Sequence, residues 1–135
     1  MAIARAEWDS LVAALRNVEQ TDQACAAAEK LHKEATEEDV PKLLTLLSDD
    51  EAFVREAAAW PLSGLGQVAL LKDLLLAYQR GLDEGLDNDG FSAALIDLVE
   101  IKRQESAAEL RLLALDSSAP IREIASWLLE FCSGE

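Results

Sequence analysis

The chain is short of the residues that most chemistry requires. Its 135 residues include one histidine and two cysteines, and aromatic residues make up 5%. His32 stands between Leu31 and Lys33 with no serine or aspartate close by in sequence to complete a nucleophilic set, and no group of histidines and cysteines has zinc spacing. Strand formers are scarce, so no glycine-rich phosphate loop can follow a strand. The expectation is a protein that is not an enzyme, with no catalytic residues, no cofactor and no metal.

Basic residues are scarce too. Twelve Lys and Arg stand against twenty-six Asp and Glu, a formal net charge of -14. The excess is spread along the chain, because each half carries about the same surplus of acids. Such a field repels phosphate, which argues against nucleic-acid and anionic-membrane partners, and it steers a basic protein inward. The same acidity also favours solubility. The opening MAIARAEWDSLVAAL lacks the basic-then-apolar order of a secretory signal, and no apolar run approaches the roughly 20 residues that span a bilayer. A soluble, cytoplasmic protein is expected. Cys25 and Cys132, far apart in the chain, are expected to be small core residues in a reducing compartment rather than a disulfide.

What the sequence does have is leucine, alanine and an internal copy. Half the residues are apolar. Most of these are Leu and Ala, which favour helix. Leu43 to Leu62 reads LLTLLSDDEAFVREAAAWPL and Leu110 to Leu129 reads LRLLALDSSAPIREIASWLL. Val54-Arg55-Glu56 aligns with Ile121-Arg122-Glu123, and Trp60 with Trp127, at an offset of 121 minus 54, or 67 residues. That spacing is about two helical pairs, and a degenerate copy lies between, with Leu70 to Leu76, a turn at Leu86 to Gly90, and Phe91-Ser92-Ala93-Ala94-Leu95. A weaker fourth copy comes first, with Trp8 to Val18 and then Ala24 to His32.

Helix punctuation agrees with these boundaries. Trp8, Leu11, Val12 and Leu15 keep helical spacing, as do Ala24, Ala28, Leu31 and Ala35, and then Val40, Leu43, Leu44 and Leu47. The third helix is expected to begin at Thr36, with Asp39 three residues on, and Ser48 with Glu51 and Ser106 with Glu109 have the spacing of capping boxes. Pro41 and Pro120 fall in first turns, where proline is tolerated. Pro61 falls inside a helix and predicts a kink, with Ser63-Gly64-Leu65-Gly66 ending that helix.

The leucine run, turn Asp, Val-Arg, Ala-Ala and closing Leu-Gly of Leu43 to Gly66 resemble HEAT repeats of the short bacterial kind, and Ala107 to Leu129 is similar. The resemblance implies an all-α fold, a right-handed α-α superhelix or HEAT-like solenoid of about four antiparallel helix pairs. These would lie at roughly 3–35, 36–66, 67–103 and 104–133 of a single domain spanning 1–135. It implies first helices on a convex side and second helices lining a concave one. It also implies that the turn Asp and the following Arg, here Asp49 or Asp50 with Arg55 and Asp116 with Arg122, form a structural ladder. Ser92 takes the place of the Arg in the middle copy.

The resemblance leaves two second-helix positions outside the core: Glu56 with Trp60, Glu123 with Trp127, and in the middle copy Ala93 with Asp97. Positions four apart share a helix face, so a wall of Trp60, Asp97 and Trp127 flanked by Glu56, Glu100 and Glu123 is expected to bind a partner offering Lys or Arg beside apolar surface. Burial of the indoles in the core is the competing expectation. The acidic loop Asp83-Glu84-Gly85-Leu86-Asp87-Asn88-Asp89-Gly90 fails as a calcium loop, because Gly85 stands at position one and Ile96 where a bidentate Glu belongs. Asp83, Glu84, Asp87 and Asp89 are instead expected to cap the next helix and to contact a partner. The reading is a protein-protein interaction module for a basic protein, monomeric or a weak homodimer. Its traits resemble those of bacterial immunity proteins that neutralise a toxin. The alternative is an accessory subunit or small enzyme similar to HEAT-like bilin lyases, holding a small molecule in the groove. Kinship with HEAT-like DNA glycosylases is opposed by the charge.

Overall fold

The computed structural model describes residues 2–132, so residue 133, the last of the expected fourth pair, lies outside the described residues. Eight α-helices follow one another, with no strand among the described residues. They are α1 (Arg5–Arg16), α2 (Thr21–Glu34), α3 (Val40–Leu46), α4 (Ala52–Gly64), α5 (Leu71–Asp83), α6 (Asp89–Ile101), α7 (Arg103–Leu113) and α8 (Ala119–Leu129). The all-α class holds. Short 3-10 turns at Glu37–Asp39 and Val68–Leu70 lead into α3 and α5. The chain forms two compact units, Met1–Leu65 and Gly66–Glu135.

In the first unit α4 packs against α1, α2 and α3. Its alanines explain this: Ala57, Ala58 and Ala59 are buried together with Val54 and Leu62, so one helix can be approached closely from several sides. Trp8, Leu11 and Leu15 of α1, Leu31 of α2 and Leu43 and Leu46 of α3 join them in the core. Each fully buried leucine contributes about 1.5–3 kcal/mol. The helix α4 runs through Pro61, whose ring is buried, and ends at Gly64; Gly66 then turns the chain with φ +70°. Pro41 and Pro120 sit in first turns.

Thr36 and Asp39 form a capping box at the start of the 3-10 turn that leads into α3. Asp39 does more than cap. Its carboxylate is fully buried and also accepts the amide of Ile3 at 3.0 Å, while Lys42 Nζ lies 3.2 Å away. Burial pushes this carboxyl up, but the amides of Thr36 and Ile3 and the Lys42 ammonium outweigh it and hold it below the usual range. A carboxyl depressed in the fold stabilises above its unfolded value of about 3.9, and that stabilisation is lost as pH falls through the folded value. Asp39→Asn is therefore expected to lower stability at neutral pH and to flatten the decline in acid. Urea melts at neutral pH and below about pH 4 check this, and an unchanged acid slope would refute it.

Two expected capping boxes are absent. Glu51 is the N-cap of α4, one turn after Ser48, and its amide is taken by Asp49 Oδ2 at 2.9 Å. Ser106 lies inside α7 and is fully buried, not at a helix start.

The second unit packs α8 against α5, α6 and α7. Leu71, Leu74 and Leu75 of α5, Leu95 and Leu98 of α6, Leu110 of α7 and Ile121 and Leu128 of α8 fill its core. Six residues, 65–70, join α4 to α5 where Lys102 alone joins α6 to α7, and α5 has 13 residues against 11 in α7; together these account for the extra length of the middle copy.

Candidate functional site

The two long copies share one clasp. Asp49 accepts the amide two residues on and so does Asp116, from Ser118 at 2.9 Å. Six residues after each Asp, an arginine Nη1 donates back to that Asp's main-chain carbonyl: Arg55 to Asp49 at 2.9 Å, and Arg122 to Asp116 at 2.8 Å. Each carboxylate then takes a cation from an earlier helix. Arg16 at the end of α1 bonds Asp49 through Nε at 3.1 Å, and Lys72 at the start of α5 lies 3.0 Å from Asp116. Asp49 is thus the turn residue equivalent to Asp116. The arginines close their own turns, and the carboxylates link successive helix pairs.

Burial pushes the Asp49 carboxyl up, yet Arg16 and the Glu51 amide hold it below the usual range; for Asp116 the Ser118 amide leads, with Lys72 behind it. The middle copy keeps the turn and loses the arginine. Asp87 accepts the Asp89 amide at 3.1 Å, but Ser92 sits five residues after it and bonds Tyr78 Oη at 2.9 Å instead.

Glu56 and Trp60 are both half-buried and line one groove between the two second helices of the first unit. Its α4 wall is Phe53, Glu56, Ala57 and Trp60. The α2 wall is Cys25, Ala28, Glu29 and His32. Both follow the spacing i, i+3, i+4, i+7, with α2 residues 28 before their α4 counterparts (53 minus 25, 60 minus 32). The register is visible in space, since His32 lies on Trp60 with ring centroids 5.8 Å apart and planes tilted by 40°. The groove encloses about 380 Å3. Cys25 is exposed here, not a core residue; in a helix this rich in alanine, the buried face is set by Ala24, Ala27 and Leu31.

Glu123 and Trp127 meet in a shallower depression on α8, beside Arg122, Ser126 and Glu130. Trp127 is half-buried, stacked on Tyr78 at 6.0 Å and edge-on to Phe131 at 5.7 Å. On α6, Asp97 is half-buried and Glu100 exposed. The loop carboxylates are exposed and partly engaged locally: Gln79 donates to Asp83 at 2.8 Å, Arg80 pairs with Glu84 at 3.2 Å, and Asp87 caps the turn before α6, where Asp89 begins the helix. No group of His, Cys, Asp or Glu suited to a metal ion occurs among the described residues. Among the same residues no helix is long and apolar enough to cross a membrane.

Sequence reasoning missed the α2 wall, because the first repeat aligns with the others mainly by position. The signal that finds it is the 28-residue register between the two second helices.

Residues 40–69 match the family model of the HEAT repeat. No curated protein matches the chain, and no solved structure does. The match, with eight helices and no strand among the described residues, fits a HEAT-like repeat protein. HEAT repeats generally mediate protein-protein interactions and are typically non-enzymatic scaffolds, which points to an interaction scaffold.

Proposed function

We propose that the chain binds a basic protein through the outward faces of its second helices. Glu56 and Trp60 on α4, Asp97 and Glu100 on α6, and Glu123 and Trp127 on α8 are the contact residues, with Asp83, Glu84, Asp87 and Asp89 of the acidic loop as further contacts. The observation that carries this reading is an acid beside a half-buried indole on one helix face, found twice. Partly covered tryptophans are the kind of anchor that dominates interfaces, and carboxylates beside them select a cationic partner. An immunity or inhibitor protein that neutralises a basic toxin in the cytoplasm, as a monomer or weak homodimer, fits this chemistry. A second reading, a small molecule held in the α2–α4 groove, draws on that groove's volume of about 380 Å3, near the lower end of ligand pockets.

The test is binding of the native partner by variants with intact folds. Trp60→Ala is expected to weaken it by tenfold or more with little loss of helicity. Trp127→Ala is a poorer probe, since the ring packs on Tyr78 and Phe131 and its loss would cost about 3 kcal/mol of stability. The exposed Glu123 serves better as Glu123→Lys. Association should slow as salt rises, and a rate indifferent to salt would remove the electrostatic argument.

A further inference from the structure

We infer that two copies of this chain meet along the outward strip of α7, a face apart from the contact residues proposed on α4, α6 and α8. Leu112 and Leu115 are the most exposed large apolar side chains among the described residues, at 67% and 81%. The core takes Ser106, Ala107, Leu110 and Leu113 of this helix. With about 100° between successive residues, Ala108 and Leu112 fall together on the opposite side, and Leu115 continues their line in the closing turn, where its amide bonds the Leu112 carbonyl at 3.0 Å. Val68 and Ala69 extend the apolar surface beside Leu112. Exposed leucines gathered on one strip, not scattered singly, mark an interaction surface.

Charge selects the occupant. A chain of net charge -14 repels its own copy over most of its surface. Between residues 102 and 115, however, Lys102, Arg103 and Arg111 stand against Glu105 and Glu109, so the repulsion is least here. The strip is also complementary to itself. Glu105 and Glu109 run along one edge of the leucines and Arg111 stands on the other, and neither Glu109 nor Arg111 forms an ion pair with another described residue. A two-fold axis parallel to α7 lays leucine on leucine and sets Glu109 of one copy beside Arg111 of the other, twice by symmetry. Antiparallel packing would set acid edge on acid edge. A strongly basic partner gains nothing from the edge with Arg111, and a strongly acidic one nothing from the glutamates. The helix has 11 residues and is roughly 16 Å long, so the contact stays below about 1,200 Å2 and the dimer is weak.

The test is sedimentation equilibrium of the full chain up to millimolar concentration, at moderate salt to screen the mutual repulsion. The chain is expected to pass from monomer to dimer as concentration rises, and the amide resonances of Ala108, Leu112 and Leu115 should move with it in NMR spectra. Leu112→Glu and Leu115→Glu, both at exposed positions, should each weaken dimerisation by about tenfold or more with helicity unchanged. Val18→Glu, the same kind of exchange at an exposed valine of the first unit, should not, and neither should Trp60→Ala. Charge exchange reads the direction of packing. Glu109→Arg or Arg111→Glu alone should weaken self-association severalfold, and an equimolar mixture of the two variants should restore it, because each edge then meets its opposite. A chain that stays monomeric at millimolar concentration would overturn the dimer, as would a dimer indifferent to both leucine variants, or a mixture no more associated than its separate components. If the leucine variants weaken a different protein partner while the chain itself stays monomeric, the strip belongs to that partner and the dimer falls. A monomer whose native partner is still lost with Trp60→Ala would sink the dimer alone and leave the reading as a binder of a basic protein standing.

Discussion

Methionine in place of Arg55 is expected to lower unfolding stability by about 3–4 kcal/mol, whereas methionine at Arg122 should cost about 1 kcal/mol or less. The two arginines occupy the same position of the same motif and make the same bond, Nη1 to the carbonyl of the turn aspartate. Their surroundings differ. Arg55 is 1% exposed, and its Nη1 also reaches the Asp50 carbonyl at 3.2 Å, so its loss removes two bonds made by a buried side chain and takes a positive charge from beside Asp49. Arg122 is exposed, and water can replace what it gives to Asp116. Urea denaturation of both variants measures the difference. Equal losses would mean that the clasp's geometry, not its burial, sets its worth.

That pair also shows what a sequence can and cannot display. The offset of 67 residues placed Asp49, Arg55, Asp116 and Arg122 in register because the turn that joins two helices needs the same carboxylate to accept an amide N–H and the same guanidinium to donate to a carbonyl each time. Element type, helix pairing and the positions of Glu56, Trp60, Glu123 and Trp127 on their helices follow from that register. Burial does not, since it depends on which helix lies across the turn. Cys25 misled for a related reason: Ala24, Ala26, Ala27 and Ala28 surround it, and small residues on every side give no preferred face until α4 is in place. Ser106 misled because a hydroxyl three residues before a glutamate is as compatible with a helix interior as with its start, and Ser48 because it lies in the turn just before Asp49, which takes the Glu51 amide instead. The link from Asp39 to the Ile3 amide spans 36 residues, beyond the reach of any local pattern. The groove at Trp60 was half legible, one wall from the repeat and the other only from the packing of α2.

Alanine in place of Gly81 is expected to destabilise the second unit by about 2–3 kcal/mol, although alanine is favoured over glycine in a helix by about 1 kcal/mol. A Cβ at Gly81 would stand 2.4 Å from Asn88 Oδ1 and 2.6 Å from Nδ2. Asn88 has little freedom to withdraw. It is 8% exposed, it holds φ at 58° in the left-handed region, and its amide donates to the Tyr78 carbonyl at 2.7 Å. The Leu86 amide also bonds the Gly81 carbonyl at 3.0 Å, so Gly81 and Asn88 fasten the acidic loop back onto α5. Displacing Asn88 would free the turn carrying Asp87 and Asp89 and disturb Tyr78, on which Trp127 is stacked. Thermal melts and the near-ultraviolet signal of the aromatic cluster read both effects. Gly85→Ala is the control: at φ +85° with no atom within 4 Å, it meets backbone strain alone, about 1 kcal/mol. Adding Asn88→Gly to Gly81→Ala removes the crowding atoms and suits the left-handed backbone, so the double variant should be more stable than Gly81→Ala by itself. If the second substitution instead deepens the loss, steric conflict at Asn88 is not what requires glycine at position 81.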